Sequence, residues 1–261
     1  MLYAYTLKRI SEVLVSVGRP GVAGEYQLRA DATLLALKAH CFDGRFFTDG
    51  LASEAACDND CSQHGQVWAV LSGAAMGDLA FNIISECTAV SGARTFTPTS
   101  TAMSFYTLRA MSMVGGSLYD ERFHGFWGPW KDQLGLNLTT WLEDTVSQRS
   151  DCHAWGSSPI YEFTTEVAGV RMGTPAWKTM IFHPRVGLFP EVDVKVRFGL
   201  LGSSGIAHVQ WKREDDTIDV WLSLKMDTGE SVSMPIRVVF PDGHDAMMEG
   251  AEDIHLTLNS N

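Results

Sequence analysis

The spacing of the apolar residues changes near Gly173, and this change constrains the fold more than any other feature of the sequence. Before Gly173, apolar residues recur at the spacing of helix faces. The first such stripe consists of Leu2, Tyr5, Ile10, Val13, Leu14 and Val17. Gly18 and Pro20 then interrupt the pattern, which predicts a helix followed by a turn. Similar patterns cover residues 26–40, 67–76, 79–87, 102–114 and 161–167. They predict a series of antiparallel helical hairpins.

After Gly173, short runs of alternating or β-branched residues replace the helical pattern. These runs cover residues 178–182, 192–198, 206–211, 218–224, 231–239 and 254–258. Turn sequences separate several of them, including Asp215-Asp216, Asp227-Thr228-Gly229 and Asp242-Gly243. Short strands at this spacing with polar turns are typical of an antiparallel β-sandwich. The sequence therefore predicts an α+β chain with two domains, one helical and one of β-strands.

The charge of the chain argues against two classes of partner. It has 20 Lys and Arg against 31 Asp and Glu, a formal net charge of −11. Phosphate backbones and anionic membrane surfaces attract basic proteins, so we expect neither nucleic acid nor membrane as a partner. We identify no apolar run of transmembrane length and no signal peptide. The localisation stays open.

The residues best suited to chemistry are concentrated in two neighbouring stretches, 139–144 and 149–155. A sugar ring has apolar faces that stack on aromatic rings, and its hydroxyl groups need hydrogen bonds when they are buried. Trp141 and Trp155 are candidates for the stacking surfaces. The candidates for the hydrogen bonds are Arg149, Asp151 and His153. Glu143 is a carboxylate within the same cluster.

Three stretches resemble the α-L-rhamnosidases of the six-hairpin glycosidase group. They are SQHGQVWAVLSG at 62–73, LTTWLEDTVSQRSDCHAW at 138–155 and SSPIYEF at 157–163, of which the second is the most specific. A looser match, PAWKTMIFHPRVGLFPEV, leads into the β-strand region. The resemblance covers essentially the whole chain, but only the latter part of the family's length.

The resemblance implies a fold and a division into domains. Residues 1–172 would be the C-terminal part of an (α/α)6 toroid, and residues 173–261 a C-terminal β-sandwich. A complete toroid of twelve helices needs well over about 200 residues, so we expect a partial toroid and an internal start at Met1. Helices without their neighbours would expose apolar faces, through which the chain could self-associate.

The resemblance also assigns roles to two residues. Glu143 corresponds to the family's general base, and His153 to a residue that lines the sugar subsite. The family's general acid lies far upstream, in an acidic motif with Arg and Trp, and no such motif occurs before residue 138. We expect hydrolysis of terminal α-L-rhamnosyl groups with inversion, without metal or cofactor, in a chain that lacks its acid.

Three other interpretations stay open at this point. The chain could be a non-catalytic carbohydrate-binding remnant, in which Trp141, Trp155 and His153 hold a sugar without a proton donor. It could be one piece of a larger enzyme, separated by an error in the gene model or in splicing. A related toroid enzyme with another sugar specificity would share the same layout.

Other motifs have structural as well as functional interpretations. The stretch 63–71 is favoured as a core helix, with Gln66 and Trp68 as alternative subsite residues.

Cys57, Cys61 and His64 have a spacing that could suggest zinc, but a fourth ligand is missing, so no metal is expected. Trp127 and Trp130 are expected in a loop around Gly128-Pro129. There they either border a sugar subsite or wedge two helices.

Overall fold

The computed structural model describes residues 1–53, 61–89, 95–143, 150–200, 203–232 and 234–259. The chain divides into two compact units, Met1–Gly156 and Ser157–Asn261. The division into domains 1–172 and 173–261 stays a prediction. The order of the elements, helices first and strands second, confirms the predicted α+β class.

Seven α-helices of at least eight residues form the described part of the first unit. They are α1 Leu2–Ser16, α2 Pro20–His40, α3 Gln63–Ser72, α4 Gly77–Cys87, α5 Ser104–Val114, α6 Leu118–Phe126 and α7 Gly128–Gly135. Pro20 occupies the first turn of α2, where its fixed φ angle suits a helix and its missing N–H costs no hydrogen bond. None of the described helices is long and apolar enough to cross a membrane.

The predicted loop at Gly128-Pro129 is wrong. Pro129 lies in the first turn of α7, so this dipeptide begins a helix instead of interrupting one. Trp127 lies between α6 and α7, and Trp130 is inside α7. Both side chains are buried, with their ring centroids 5.1 Å apart in an edge-to-face arrangement. Of the two interpretations of these tryptophans, helix packing agrees with the structure.

The helix α3 lies in the core of the first unit, as predicted for residues 63–71. Trp68 is buried between Tyr5 and Tyr106, with ring centroids 5.5 and 4.7 Å away. Gln66 is fully buried, and its amide both accepts from and donates to the backbone of Phe47. Because these contacts are made within the protein, Gln66 and Trp68 serve packing.

The second unit opens with short helical elements and then forms two four-stranded sheets. These helical elements are α8 Ser158–Tyr161, a π-helix at Glu162–Val167 and a 3₁₀ turn at Pro175–Trp177, and they follow a 3₁₀ turn at Ala154–Ser157 in which the first unit ends. The strands are β1 Val170–Met172, β2 Met180–Phe182, β3 Glu191–Leu200, β4 Ser203–Glu214, β5 Thr217–Met226, β6 Ile236–Val239, β7 Asp245–Met248 and β8 Asp253–Asn259. The sheet orders are β1-β2-β6-β7 and β3-β4-β5-β8.

The longer sheet follows the alternation expected from the sequence. Along β5, Ile218, Val220, Leu222 and Leu224 are buried, while the residues between them face away from the core. All pairs in this sheet are antiparallel, whereas β2 and β6 of the other sheet are parallel. The predicted arrangement of antiparallel strands is confirmed. It differs from the prediction in the parallel pairing of β2 with β6.

A buried ion cluster stabilises the beginning of the second unit. Glu166, on the π-helix, is only 1% exposed and accepts from the guanidinium groups of Arg171 and Arg185 at 2.9 Å each. His183 lies near these cations. Burial, followed by the charges of Arg171 and Arg185, lowers the pKa of His183 from 6.5 to about 4. The imidazole is therefore neutral at pH 7.

Candidate functional site

Hydrogen bonds join residues 140–143 to residues 150–153, and these two segments, the stem, carry most of the predicted site residues. The backbone N–H of His153 donates to the carbonyl of Trp141 at 2.7 Å. The N–H of Glu143 donates to the carbonyl of Ser150 at 3.0 Å, and the Thr140 hydroxyl donates to the carbonyl of Asp151. The stem therefore aligns residues 140–143 with residues 150–153. Arg149, a predicted sugar-contacting residue, lies outside the described residues.

The stem places the side chains of Glu143 and His153 next to each other. Glu143 Oε2 is 4.0 Å from His153 Nδ1. The side chains are 18% and 25% exposed, so both are sheltered and still reach solvent. A carboxylate in such a position can take a proton from a water molecule, while the neighbouring imidazole can donate to or accept from a hydroxyl group.

Helix α7 supports the stem through a buried amide. Gln133 is fully buried, and its Oε1 accepts from the backbone N–H of Leu142 at 2.8 Å. The backbone carbonyl of Gln133 accepts from the N–H of Leu138. The residue before Glu143 is therefore fixed to a helix. Gln133 could not be identified from the sequence, since a single Gln in a helix carries no signal of its partner nine residues away.

The Gly156 backbone holds two tryptophans in place. Its carbonyl accepts from Trp130 Nε1 at 2.7 Å, and its N–H donates to the carbonyl of His153 at 2.9 Å. A Cβ atom at this position would lie 2.5 Å from Cβ of Trp141, so a larger residue does not fit without movement. Trp130 is thus connected to the site through its hydrogen bond to Gly156. Sequence reasoning missed Gly156 as well.

The two predicted stacking residues differ in their surroundings. Trp141 is half-buried against Gly156. Trp155 is 63% exposed, and its ring approaches that of His153 edge-on with centroids 6.0 Å apart. Asp151 is exposed, and its carboxylate forms no ion pair with a described residue. The structure brings Trp141, Glu143, His153 and Trp155 together and leaves Asp151 at the edge.

The predicted absence of a metal site concerns Cys57, Cys61 and His64. Cys57 lies outside the described residues, and Cys61 is buried. Among the described residues, no group of three or more His, Cys, Asp or Glu side chains could hold a metal ion. Around Glu143, the described side chains provide a carboxylate, an imidazole and indole rings.

Comparisons with solved structures identify the fold. The GH78-family rhamnosidase of Bacillus sp. GL1 matches with a TM-score of 0.74 at 20% identity, over 92% of this chain and 25% of that protein. The α-L-rhamnosidase of Aspergillus terreus matches with a TM-score of 0.72 at 13% identity, over 98% and 29%. The Streptomyces avermitilis α-L-rhamnosidase, solved with L-rhamnose, matches with a TM-score of 0.68 at 15% identity, over 98% and 26%.

These likenesses confirm the predicted resemblance at the level of fold. The chain has an α-L-rhamnosidase-like fold, matching the C-terminal part of those enzymes. It spans between a quarter and a third of the length of the solved structures it matches. No protein-family model matches the chain, and neither does any curated protein sequence.

Proposed function

We propose that this chain forms the C-terminal part of an inverting α-L-rhamnosidase, in which Glu143 activates the attacking water. The observation that carries the proposal is the sheltered pair of Glu143 and His153, 4.0 Å apart, with the Trp155 ring edge-on to the imidazole. The rhamnosidase-like fold supports the choice of reaction. In this proposal, a water molecule loses a proton to Glu143 while its oxygen attacks the anomeric carbon, and the bond from that carbon to the leaving-group oxygen breaks.

The other groups of the site would hold the sugar. Trp141 and Trp155 are proposed to contact the apolar faces of the rhamnose ring, because indole rings stack well on such surfaces. His153 is proposed to hydrogen-bond a ring hydroxyl, with Asp151 and Arg149 at the rim. Since L-rhamnose is a neutral sugar, the acidic charge of the chain does not oppose its binding.

An inverting enzyme also needs a general acid, about 6.5–9.5 Å from the base. We propose that a segment not included in these 261 residues supplies this acid and completes the helical toroid. Exposed apolar side chains on the first helical pair support this view. They include Leu2, Tyr3, Val13 and Val15 of α1 and Leu28 and Leu35 of α2. Faces of this kind are usually covered by other chain segments.

A substrate with an activated leaving group tests the general base independently of the general acid. Dinitrophenolate leaves without being protonated, so 2,4-dinitrophenyl α-L-rhamnoside tests Glu143 even where no general acid is present. We expect Glu143→Gln to lower kcat at least about a hundredfold. Glu25→Gln, at an exposed position of α2, serves as the matched control and should keep the rate. NMR of the first product should show the β-anomer of L-rhamnose.

Two further results test the mechanism and its alternatives. Azide should restore turnover in Glu143→Ala and give a β-L-rhamnosyl azide, because the small anion needs no base. Calorimetric binding of L-rhamnose without turnover of the dinitrophenyl substrate would favour the carbohydrate-binding remnant. Turnover of other dinitrophenyl glycosides but not of the α-L-rhamnoside would contradict the proposed substrate. Equal rates in wild type and Glu143→Gln would refute the role of Glu143.

A further inference from the structure

A row of polar and aromatic side chains crosses the outer face of the longer sheet. The strand register pairs Asp193 with Gln210, Gln210 with Trp221, and Trp221 with His255. These four residues therefore lie side by side across β3, β4, β5 and β8. Trp221 is 41% exposed, although large aromatic rings usually bury more of their surface in a folded protein. An indole exposed within a polar row calls for an explanation.

The Trp221 ring is held in a defined orientation. The imidazole of His255 lies parallel to it, with an angle of 3° and a centroid distance of 5.0 Å. Asp219 Oδ1 lies 3.1 Å from His255 Nε2 and accepts from the Thr257 hydroxyl at 2.7 Å. Because the rings are fixed beforehand, a ligand that stacks on the indole would lose little side-chain entropy.

A groove lies beside Trp221 on the outer face of the longer sheet. Its lining residues come from β3, β4 and β5, whereas His255 belongs to β8. The groove has a volume of about 470 Å³, which is within the range of small-molecule sites, about 300–1,000 Å³. The polar and aromatic residues that line the groove include Glu191, Asp193, Gln210, Lys212, Asp219 and Trp221. The Trp221 ring thus stacks with His255 and also borders an open groove.

The polar groups of the groove suit hydroxyl-rich ligands. The carboxylates of Glu191, Asp193 and Asp219 accept hydrogen bonds, while the Gln210 amide and the Lys212 ammonium donate them. Asp193 lies 2.7 Å from His208 Nε2 and accepts from Gln210 Nε2 at 2.8 Å, so its carboxylate is already oriented. A sugar hydroxyl can donate and accept at once, and it can use both kinds of group.

The charges of the groove restrict the class of ligand. Four carboxylates, those of Glu191, Asp193, Glu214 and Asp219, face one ammonium group, that of Lys212, among the lining residues. An anionic ligand such as a phosphate or a uronic-acid polymer would therefore be repelled. Among the described residues, no group of carboxylates and imidazoles has the arrangement of a metal site. A neutral saccharide remains the class that the indole and the polar groups both fit.

We propose that this groove, the Trp221 groove, binds the neutral saccharide chain of a polysaccharide or glycoside. The saccharide would stack on the exposed part of the indole and hydrogen-bond to Asp193, Gln210 and Lys212. The proposal does not depend on the role of Glu143, because the Trp221 groove lies on the other unit of the chain. A saccharide site on the β-sheet unit would keep an enzyme bound to a polysaccharide between turnovers.

Native affinity electrophoresis provides the test, with xyloglucan, galactomannan and arabinan as neutral polysaccharides and polygalacturonate as the acidic one. We expect at least one neutral polysaccharide to retard the wild-type chain and polygalacturonate to have no effect. Trp221→Ala should weaken binding about tenfold or more, since a stacked indole buries substantial apolar area. Trp221→Phe should retain part of the affinity. Ser223→Ala, on the same outer face of β5, should bind as the wild type does.

Controls separate this surface from the site at Glu143. Near-UV circular dichroism and thermal unfolding check that Trp221→Ala folds, which we expect because the side chain lies on the outer face of the sheet. Trp221→Ala should also keep the wild-type rate on 2,4-dinitrophenyl α-L-rhamnoside, while Trp141→Ala should keep the wild-type retardation. The proposal is overturned if no neutral polysaccharide retards the chain, or if folded Trp221→Ala is retarded as strongly as the wild type. Retardation by polygalacturonate alone would overturn it as well.

Discussion

Glu143 Oε2 and His153 Nδ1 lie 4.0 Å apart across the stem, although ten positions of sequence separate the two residues. The carboxylate and the imidazole are both partly buried. If the carboxylate activates water and the imidazole binds the sugar, the two side chains should contribute to different kinetic constants.

His153→Ala should therefore raise KM about tenfold on 2,4-dinitrophenyl α-L-rhamnoside, with kcat within about threefold of the wild type. The physical reason is that a hydrogen bond made equally in the ground state and the transition state affects binding alone. Steady-state kinetics measure both constants. A loss of kcat as large as that of Glu143→Gln would show instead that His153 acts through the base.

Gly156→Ala should destabilise the first unit by about 1–3 kcal/mol, because the new Cβ would lie 2.5 Å from Cβ of Trp141 and force a shift. Gly125→Ala is the matched control. Its Cβ would meet nothing within 4 Å, and alanine favours the helix α6 by about 0.5–1 kcal/mol. Urea unfolding followed by tryptophan fluorescence compares the two variants. Equal stability of both would contradict the close packing at Gly156.

Glu166→Gln should destabilise the second unit by about 3–5 kcal/mol. The substitution removes the carboxylate on which Arg171 and Arg185 converge at 2.9 Å, and leaves their charges in a largely buried place. Asp227→Asn breaks the exposed pair with Arg197 and should lower the stability far less, because solvent screens that pair. Chemical denaturation measures both. A small loss for Glu166→Gln would mean that solvent reaches the cluster.

The pKa of His183 predicts how stability depends on pH. Burial and the charges of Arg171 and Arg185 lower it from 6.5 in the unfolded chain to about 4 in the folded one. Between these values the unfolded state binds more protons, so stability falls as the pH falls. The contribution is fully present above pH 6.5 and is lost as the pH decreases to about 4.

His183→Gln should therefore lose less stability than the wild type between pH 7.5 and pH 5. Thermal unfolding of both proteins at the two pH values provides the comparison, and subtracting the two changes cancels the carboxylates that titrate in both. Parallel curves for the two proteins would mean that His183 titrates alike in the folded and unfolded states.

The predicted self-association concerns the exposed face of α2. Leu28 and Leu35 are each 71% exposed, and their spacing of seven residues places them on the same side of the helix. Leu28→Lys should shift sedimentation velocity profiles towards the monomer. Leu136→Lys adds the same charge at another exposed position and should leave the profile unchanged. A wild-type chain that is monomeric at all concentrations would contradict this prediction.

The amino-acid sequence by itself determined the local elements whose period extends over many residues. The spacing from Leu2 to Val17 specified the helix α1, although the buried residues of α1 are Ala4, Leu7 and Ser11 and most of the predicted stripe is exposed. The alternation along β5 specified a half-buried strand, because its apolar face is the one that is buried. The proximity of Trp141, Glu143, His153 and Trp155 could also be expected from sequence, since they lie within fifteen positions of one another, whereas their role in a sugar site stays a prediction.

Only the tertiary structure decided what depends on partners distant in the chain. The start of α7 at Gly128-Pro129 was missed because proline begins helices as readily as it ends them. The parallel pairing of β2 with β6 joins segments more than fifty residues apart. Likewise, the hydrogen bond from the Leu142 N–H to the Gln133 side chain depends on the packing of α7, and the row from Asp193 to His255 follows from strand register. Register depends on the energy of the whole packed unit, so local patterns do not contain it.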